Sequence, residues 1–390
     1  MAKSTPKLPE LPESVNELVA DRAIRHAVYL ERYKTQVVND ILTEFNNSLE
    51  PALVAKIEKS LHRMTGTSKH LQALFKYNGE LVREEYIAME AKLYGQLRDF
   101  AKVESAWLIQ TMQNVMPIAY DFVAPSAVML KSLVTTQPME GALVKEWFGK
   151  LSRDTAFNVN KAIQMGMVEG EGIEKIVRRI AGTRAEKYGD ALLEASRREI
   201  QTIVRTATGN VSNAARNETY AANSDVVKGV EIIATLDSGT CLKCGNLDGK
   251  QFPLDSGPRP TFHFKCKCGT VPVLKSWKEL GIPLKELPPG TRASSALTKT
   301  EKKRIRKLPK EEQQKIKSKL TGQVPATQKY PDWLSKQTKA FQADAFGGGP
   351  AGMQRAEYFR SGKLKLNEFV DRRDRPLTLK KLEELVKKGN

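Results

Sequence analysis

All four cysteines of this 390-residue chain fall between Cys241 and Cys268, in the pattern Cys241-x-x-Cys244 followed by His263-x-x-Cys266-x-Cys268. No other feature restricts local folding so tightly. Zinc takes four thiolate or imidazole ligands in a tetrahedron, and a Cys-x-x-Cys turn brings two thiolates to one side of an ion. Five donors compete for four positions. Matching two-residue gaps favour Cys241, Cys244, His263 and Cys266. Cys268 is the alternative to Cys266 or His263, or else a buried thiol supporting the site from outside it. The competing reading is a set of buried, reduced cysteines without metal.

A site closed by four protein ligands leaves no coordination position open, which makes zinc here structural rather than catalytic. The flanking residues agree. Asp237-Ser238-Gly239-Thr240 and Asn246-Leu247-Asp248-Gly249 are turn formers, with both aspartates read in that role, and Pro258 and Pro260 stiffen the return. Such a segment has too few large apolar side chains to fold by burial alone. Structural zinc supplies on the order of 10 kcal/mol or more.

Composition narrows the classes. Hydrophobic residues at 40% suit a globular chain of two to three domains and exclude a collagen-like one, and four cysteines cannot staple this length. Residues Met1 to Glu13, with Lys3, Lys7 and three prolines but no apolar run, read as neither signal peptide nor anchor. The longest uncharged stretch, Ser105 to Tyr120, contains Pro117 and falls short of the roughly 20 apolar residues of a bilayer span. It reads as buried core, so no membrane partner is expected, and the thiols are expected to stay reduced. A formal net charge of +18 attracts nucleic acid or acidic protein, and is equally what solvated Lys-rich helices produce.

Periodicity places the elements. Ser14-Val15-Asn16-Glu17 has the form of a capping box, and Leu30, Tyr33, Val37, Ile41 and Phe45 form one helical stripe. Pro51 and the Gly66 region are expected to interrupt it. Further helices are expected over 81–113, 143–167, 172–180 and 191–222, with Pro117 and Pro125 as breaks. Val230, Ile232, Ala234 and Leu236 alternate as a half-buried strand, and Thr270 to Leu274 reads as a short closing strand. The expected fold is α+β and predominantly α-helical. Residues 1–14 are expected disordered and 15–135 helical. Residues 140–282 form a central helical domain whose small zinc-stabilised β element spans 237–274. A basic linker (283–325) and a compact C-terminal tail (326–390) follow. In the linker, Lys302, Lys303, Arg304, Arg306 and Lys307 are the candidate nucleic-acid contacts, against a reading as a solvated helix. The aromatics Trp333, Phe341, Phe346, Tyr358, Phe359 and Phe369 are expected to build a small core rather than a partner face.

Catalytic signatures are missing. There is no Gly-x-Ser-x-Gly elbow and no P-loop, and His26, His62 and His70 fall in helical patterns where packing or solvation explains them. The chain is not expected to be an enzyme.

The motif residues resemble a known family. Arg205-Thr206, Asn213-Ala214-Ala215-Arg216, Tyr220, Gly229-Val230, Leu236-Asp237, Thr240-Cys241-Leu242-Lys243-Cys244, Leu247-Asp248-Gly249, Pro260, His263 and Cys266-Lys267-Cys268 are similar to the phage Mu F-like head morphogenesis (minor head protein) family. Lys267 stands where that family usually has Arg, and Ala207 replaces its usual acidic residue after Arg-Thr. Pro289-Gly290-Thr291-Arg292-Ala293-Ser294 resembles the loop that often follows its motif. Trp333-Leu334, Gln337, Phe341-Gln342, Phe346-Gly347, Arg355, Phe359, Gly362 and Phe369-Val370-Asp371 resemble the tail of many members. The resemblance implies a structural protein of the virion, in the capsid interior or at the portal vertex. Its implied partners are the portal protein and major capsid or scaffolding proteins, and it meets packaged DNA without sequence preference; some relatives are thought to leave with that DNA. The alternative is a zinc-ribbon nucleic-acid-binding protein with no virion role, using Lys243, Lys250, Lys265 and Lys267 beside Phe262 and Phe264.

Overall fold

A computed structural model describes residues 15–63, 68–116, 118–183, 189, 191–283, 291–371 and 375–388. The expectations for residues 1–14 and for Ser14, Gly66, Pro117 and Pro289-Gly290 lie outside them. The chain is mostly α-helical with small sheets, an α+β fold.

Four long helices make the body. Helix α1 (Val15–Glu44) runs through a π-helical turn, Phe45–Leu49, into α2 (Glu50–His62). Pro51, expected to interrupt this run, instead occupies the first turn of α2, where a proline removes no amide from the helical ladder. Buried Val37, Ile41, Phe45, Leu49, Leu53 and Ile57 continue one stripe across the junction. Helix α3 (Ser68–Val115) spans 48 residues and begins earlier than the expected Leu81. Leu74 and Asn78 extend its buried stripe, which continues through Val82, Tyr86, Met89, Leu93, Leu97 and Phe100. Three- and four-residue steps keep every one of these positions on the same face.

Ser126 caps α4 (Ala127–Thr136) by accepting from the Met129 amide, in the break after Pro125. Helices α5 (Val144–Val168), α6 (Ile173–Ala181) and α7 (Leu192–Ala221) follow the expected spans to within a residue or two. The apolar faces of α1, α3, α5 and α7 meet in one core.

Strand β1 (Val227–Ile233) is the centre of a three-stranded antiparallel sheet, flanked by β2 (Gln251–Pro253) and β3 (Gly269–Leu274). Between β1 and β2 lies the short helix α8 (Leu242–Leu247). Val227, Val230 and Leu274 join Val19, Leu108, Met112 and Tyr220 in a second core, which seats the sheet on the ends of α1, α3 and α7.

The expected linker is folded in its described part. β4 (Thr291–Ser295) pairs with β5 (Thr321–Pro325), enclosing α9 (Lys299–Ile305) and α10 (Lys310–Leu320). The Thr298/Glu301 capping box starts α9, and buried Leu297 and Ile305 anchor it. Ser295 donates its amide to Leu236 O at 2.8 Å, joining β4 to the chain just beyond β1. Leu236, expected within β1, lies past its end and makes this isolated bridge to Ser294.

The tail is α11 (Tyr330–Ser335), α12 (Lys339–Ala345), α13 (Gly349–Arg360) and α14 (Leu379–Lys388). As expected, Trp333, Phe341, Phe346 and Phe369 form a core, with Tyr358 and Phe359 packed against it. That core also takes in Leu236 and Leu242, so the tail closes over the cysteine segment. Among the described residues no helix is long and apolar enough to cross a membrane.

Candidate metal centre

Cys241 ends the turn after β1 and caps α8: its Sγ accepts the amide of Cys244 at 3.4 Å. That hydrogen bond is what makes the Cys-x-x-Cys turn close, because the helix start needs an acceptor and the thiolate supplies it. Across from it, the amide of Cys266 donates to His263 O at 3.1 Å, forming the second turn, with Lys265 at a left-handed φ of 60°.

The two turns face each other. His263 Nε2 lies 3.2 Å from Cys241 Sγ and 3.4 Å from Cys244 Sγ, and Cys244 Sγ lies 3.8 Å from Cys266 Sγ. A zinc–sulfur bond of about 2.3 Å implies tetrahedral sulfur–sulfur edges of about 3.8 Å. His263 Nδ1 donates to Phe264 O at 2.8 Å, which turns Nε2 toward the sulfurs as the nitrogen that would yield its proton to a metal. Cys268 joins through a second group with Cys244 and Cys266, the ligand atoms lying within 4.8 Å of one another. All five expected donors therefore converge. Cys244 alone belongs to both groups, and the donor set and spacing fit a tetrahedral zinc ion.

Electrostatics favour that ion. Cys241 is drawn down to about 5, chiefly by its hydrogen bond with Cys244, against the cost of burial and with help from His263. Cys266 is also pushed down, first by Cys244. Cys244 and Cys268 go up, Cys244 chiefly because Cys241 takes the hydrogen bond as the thiolate. His263 rises to about 11 because Cys241 and then Cys266 share its proton. Thiolates packed this closely must share protons. A divalent ion would replace those protons and be held by four of the five donors, so binding releases protons.

One face of α7 carries the loop. Thr206, Asn213 and Tyr220 stand two helical turns apart. Thr206 Oγ1 accepts the Lys265 amide at 3.0 Å, Asn213 Nδ2 donates to Cys268 O at 3.2 Å, and Tyr220 donates to Thr270 O at 3.0 Å. A loop with little apolar content is thereby hung on a rigid helix by its own backbone.

A buried ion pair locks the other side. Asp248, expected only as a turn former, is fully buried and receives both Arg292 nitrogens, Nη1 at 2.9 Å and Nη2 at 3.1 Å. Its carboxylate also accepts the amides of Ala234 and Tyr330, each at 2.8 Å, while Arg292 Nη2 donates to Ala234 O at 2.5 Å. The end of β1, α8, β4 and the tail meet at this pair. Gly249 follows at φ +79°, a conformation that suits glycine. Asp237 does form its expected turn, accepting the Gly239 amide at 2.7 Å, and also holds Lys302 at 3.2 Å and Lys267 at 3.6 Å.

A third polar cluster was missed by motif reading. Glu104 of α3 is buried and bonds His26, Ser212 at 2.6 Å and Arg216 at 3.0 Å. Burial pushes its carboxyl up, but Arg216 and His26 outweigh that and hold it at about 2. His26 stacks on Trp107 at 3.7 Å, and the Arg216 guanidinium lies over the ring of the same tryptophan, 5.1 Å from its centroid. The helical period sets Arg216 on a face other than the apolar stripe of α7, yet the residue is buried, its charge met by Glu104.

Of the basic candidates, Lys303, Arg304, Arg306 and Lys307 are exposed on and just after α9, whereas Lys302 is engaged by Asp237. Near the metal centre, Phe264 packs edge-to-face on Trp147 at 5.1 Å, and Lys243 sits over Phe262 at 5.2 Å.

No curated protein and no solved structure matches the chain. Residues 157–271 match the family model described as Phage Mu protein F like protein. That span, less than half of the chain, runs from within α5 into β3 and holds all five candidate ligands together with Thr206, Asn213 and Tyr220. The family resemblance carried by the cysteine motif is thus met by this match, which makes residues 157–271 a phage Mu F-like segment.

Proposed function

We propose that the chain is a minor head protein of a tailed phage, a structural component that joins the portal protein and major capsid or scaffolding proteins in the particle interior during head assembly. The observation that carries the reading is the phage Mu F-like match over the segment where α7 suspends the Cys/His centre. Metal in this reading is structural zinc, because every donor comes from the protein and the centre is roofed by the tail core. The role is assembly rather than catalysis.

Exposed Lys303, Arg304, Arg306 and Lys307 suit loose contact with packaged DNA, since each phosphate neutralised releases counterions. The rival zinc-ribbon reading needs aromatic faces beside the metal, and Phe262 and Phe264 are already engaged by Lys243 and Trp147. Mass spectrometry of purified procapsids and mature heads tests the proposal. The chain should be found in both, at few copies per particle; its absence from both refutes the reading.

A further inference from the structure

A cleft of about 890 Å³ lies between α1 and the β4–β5 hairpin. Its apolar lining is aliphatic, Ile24, Ala27, Val28 and Leu30 from α1 with Leu236 and Ala293 opposite, set among polar and charged side chains. Val28 is 58% exposed at its lip, a branched apolar side chain left in water. Among the described residues no aromatic ring lines it.

One wall is an unpaired strand edge. Ala296 donates to Leu320 O at 2.8 Å, and this pair continues the β4–β5 register in which Ser295 faces Thr321 and Ala293 faces Gln323. Antiparallel pairs alternate, so Gly322 and Val324 turn their backbone groups toward β4, whereas Thr321 and Gln323 turn theirs away. The Thr321 amide is taken by Lys317 O at the end of α10. The outward Gln323 amide has no partner among the described residues, and no described strand covers this edge of β5. Two-stranded sheets are marginal in water, and a third strand along an open edge is a common mode of peptide recognition.

Charge selects the occupant. The two carboxylates lining the cleft are each bracketed by cations, Glu31 by Lys34 and Arg205, Asp237 by Lys267 and Lys302. Arg32 adds positive charge from α1, beside Arg25, which is paired with Asp21 at 2.7 Å. Phosphate would also answer that charge, but bases entering the cleft would meet aliphatic walls and find no ring to stack on. We infer that this cleft docks an extended segment of a partner protein that carries aliphatic and acidic side chains together on one strand face, and that the segment adds to β5 as a third strand. Side chains two residues apart share a strand face, so aliphatic ones beside Val28 and acidic ones beside Arg32 both point toward α1. This goes beyond the head-protein reading and does not depend on it.

The full-length zinc-loaded protein tests it with a fluorescein-labelled peptide repeating Val-Thr-Glu-Thr, about ten residues long to match a strand, so that Val and Glu share one face. The controls are the same peptide with Lys for Glu and an oligo-dT of equal length. The Val/Glu peptide should bind saturably by anisotropy and slow hydrogen exchange at the Gln323 amide. Gln323→Pro, tolerated at an edge strand, should weaken binding about tenfold by removing the outward donor. Arg25→Glu with Arg32→Glu, both exposed on α1, should reverse the preference toward the Lys peptide, and it keeps the test decisive if the proline variant does not fold. Absence of Val/Glu binding overturns the inference. So does binding that neither variant changes, or oligo-dT slowing Gln323 exchange in place of the peptide.

Discussion

Replacing Arg292 by Met would leave the Asp248 carboxylate buried with only the Ala234 and Tyr330 amides as donors. Asp248 is 0% exposed at its side chain and Arg292 3%, so water does not reach the pair to compensate. Ala234 O would lose its 2.5 Å bond in the same step. Breaking a buried pair by removing one partner costs about 3–5 kcal/mol, most of it the stranded charge. The effect should be local first, because the pair joins β1, α8, β4 and the tail. The assay is therefore hydrogen exchange at the Ala234 and Tyr330 amides, whose acceptor is Asp248. At 1.4 kcal/mol per tenfold, exchange there should quicken by roughly a hundredfold to a few thousandfold. The double variant Arg292→Met with Asp248→Asn removes the stranded charge and should recover a large part of the loss. Exchange in the single variant within about threefold of wild type would refute the reasoning, since a 1.4 kcal/mol change is already tenfold.

Other outcomes follow from the same geometry. Glu104, held at about 2, has a depressed folded-state pKa, so its contribution is complete above the unfolded value near 4.5 and is lost as pH falls through about 2; Glu104→Gln should flatten the acid limb of thermal unfolding by about 3 kcal/mol. Gly245→Ala would place a Cβ 2.4 Å from the Tyr330 ring, and urea unfolding should show a loss of about 1–3 kcal/mol. Cys244→Ser should abolish zinc retention because Cys244 belongs to both donor groups, whereas Cys268→Ser should keep most of it; equal loss in a chelator competition would overturn that choice of four ligands.

Much of this was legible because local chemistry and tertiary placement agreed. Helices α5, α6 and α7 follow hydrophobic periodicity, and the cysteine spacing announces two facing turns before any coordinate is known. The misses share a cause. Asp248 sits in a turn-forming tetrapeptide, and nothing in that local string tells of a partner 44 residues away in Arg292. The same holds for the segment from 291 to 325: its charge suggested a linker, yet three of its few apolar residues, Leu297, Ile305 and Val324, pack inward and the hairpin closes around them. Pro51 misled because a proline breaks a helix only inside it, and its place at the first turn of α2 depends on the π-helical turn before it. Long-range pairs and element junctions are where a single sequence carries least, and where this chain ties its cysteine loop to its body.

Elemental analysis joined to X-ray absorption, on full-length protein purified under reducing conditions, addresses the central claim most directly. The account predicts one zinc per chain in a tetrahedral shell dominated by sulfur at about 2.3 Å, released stoichiometrically as pH falls and the thiolates regain protons. A folded, monodisperse preparation with no bound metal, and with the 237–274 segment as protected from hydrogen exchange as α7, would contradict it.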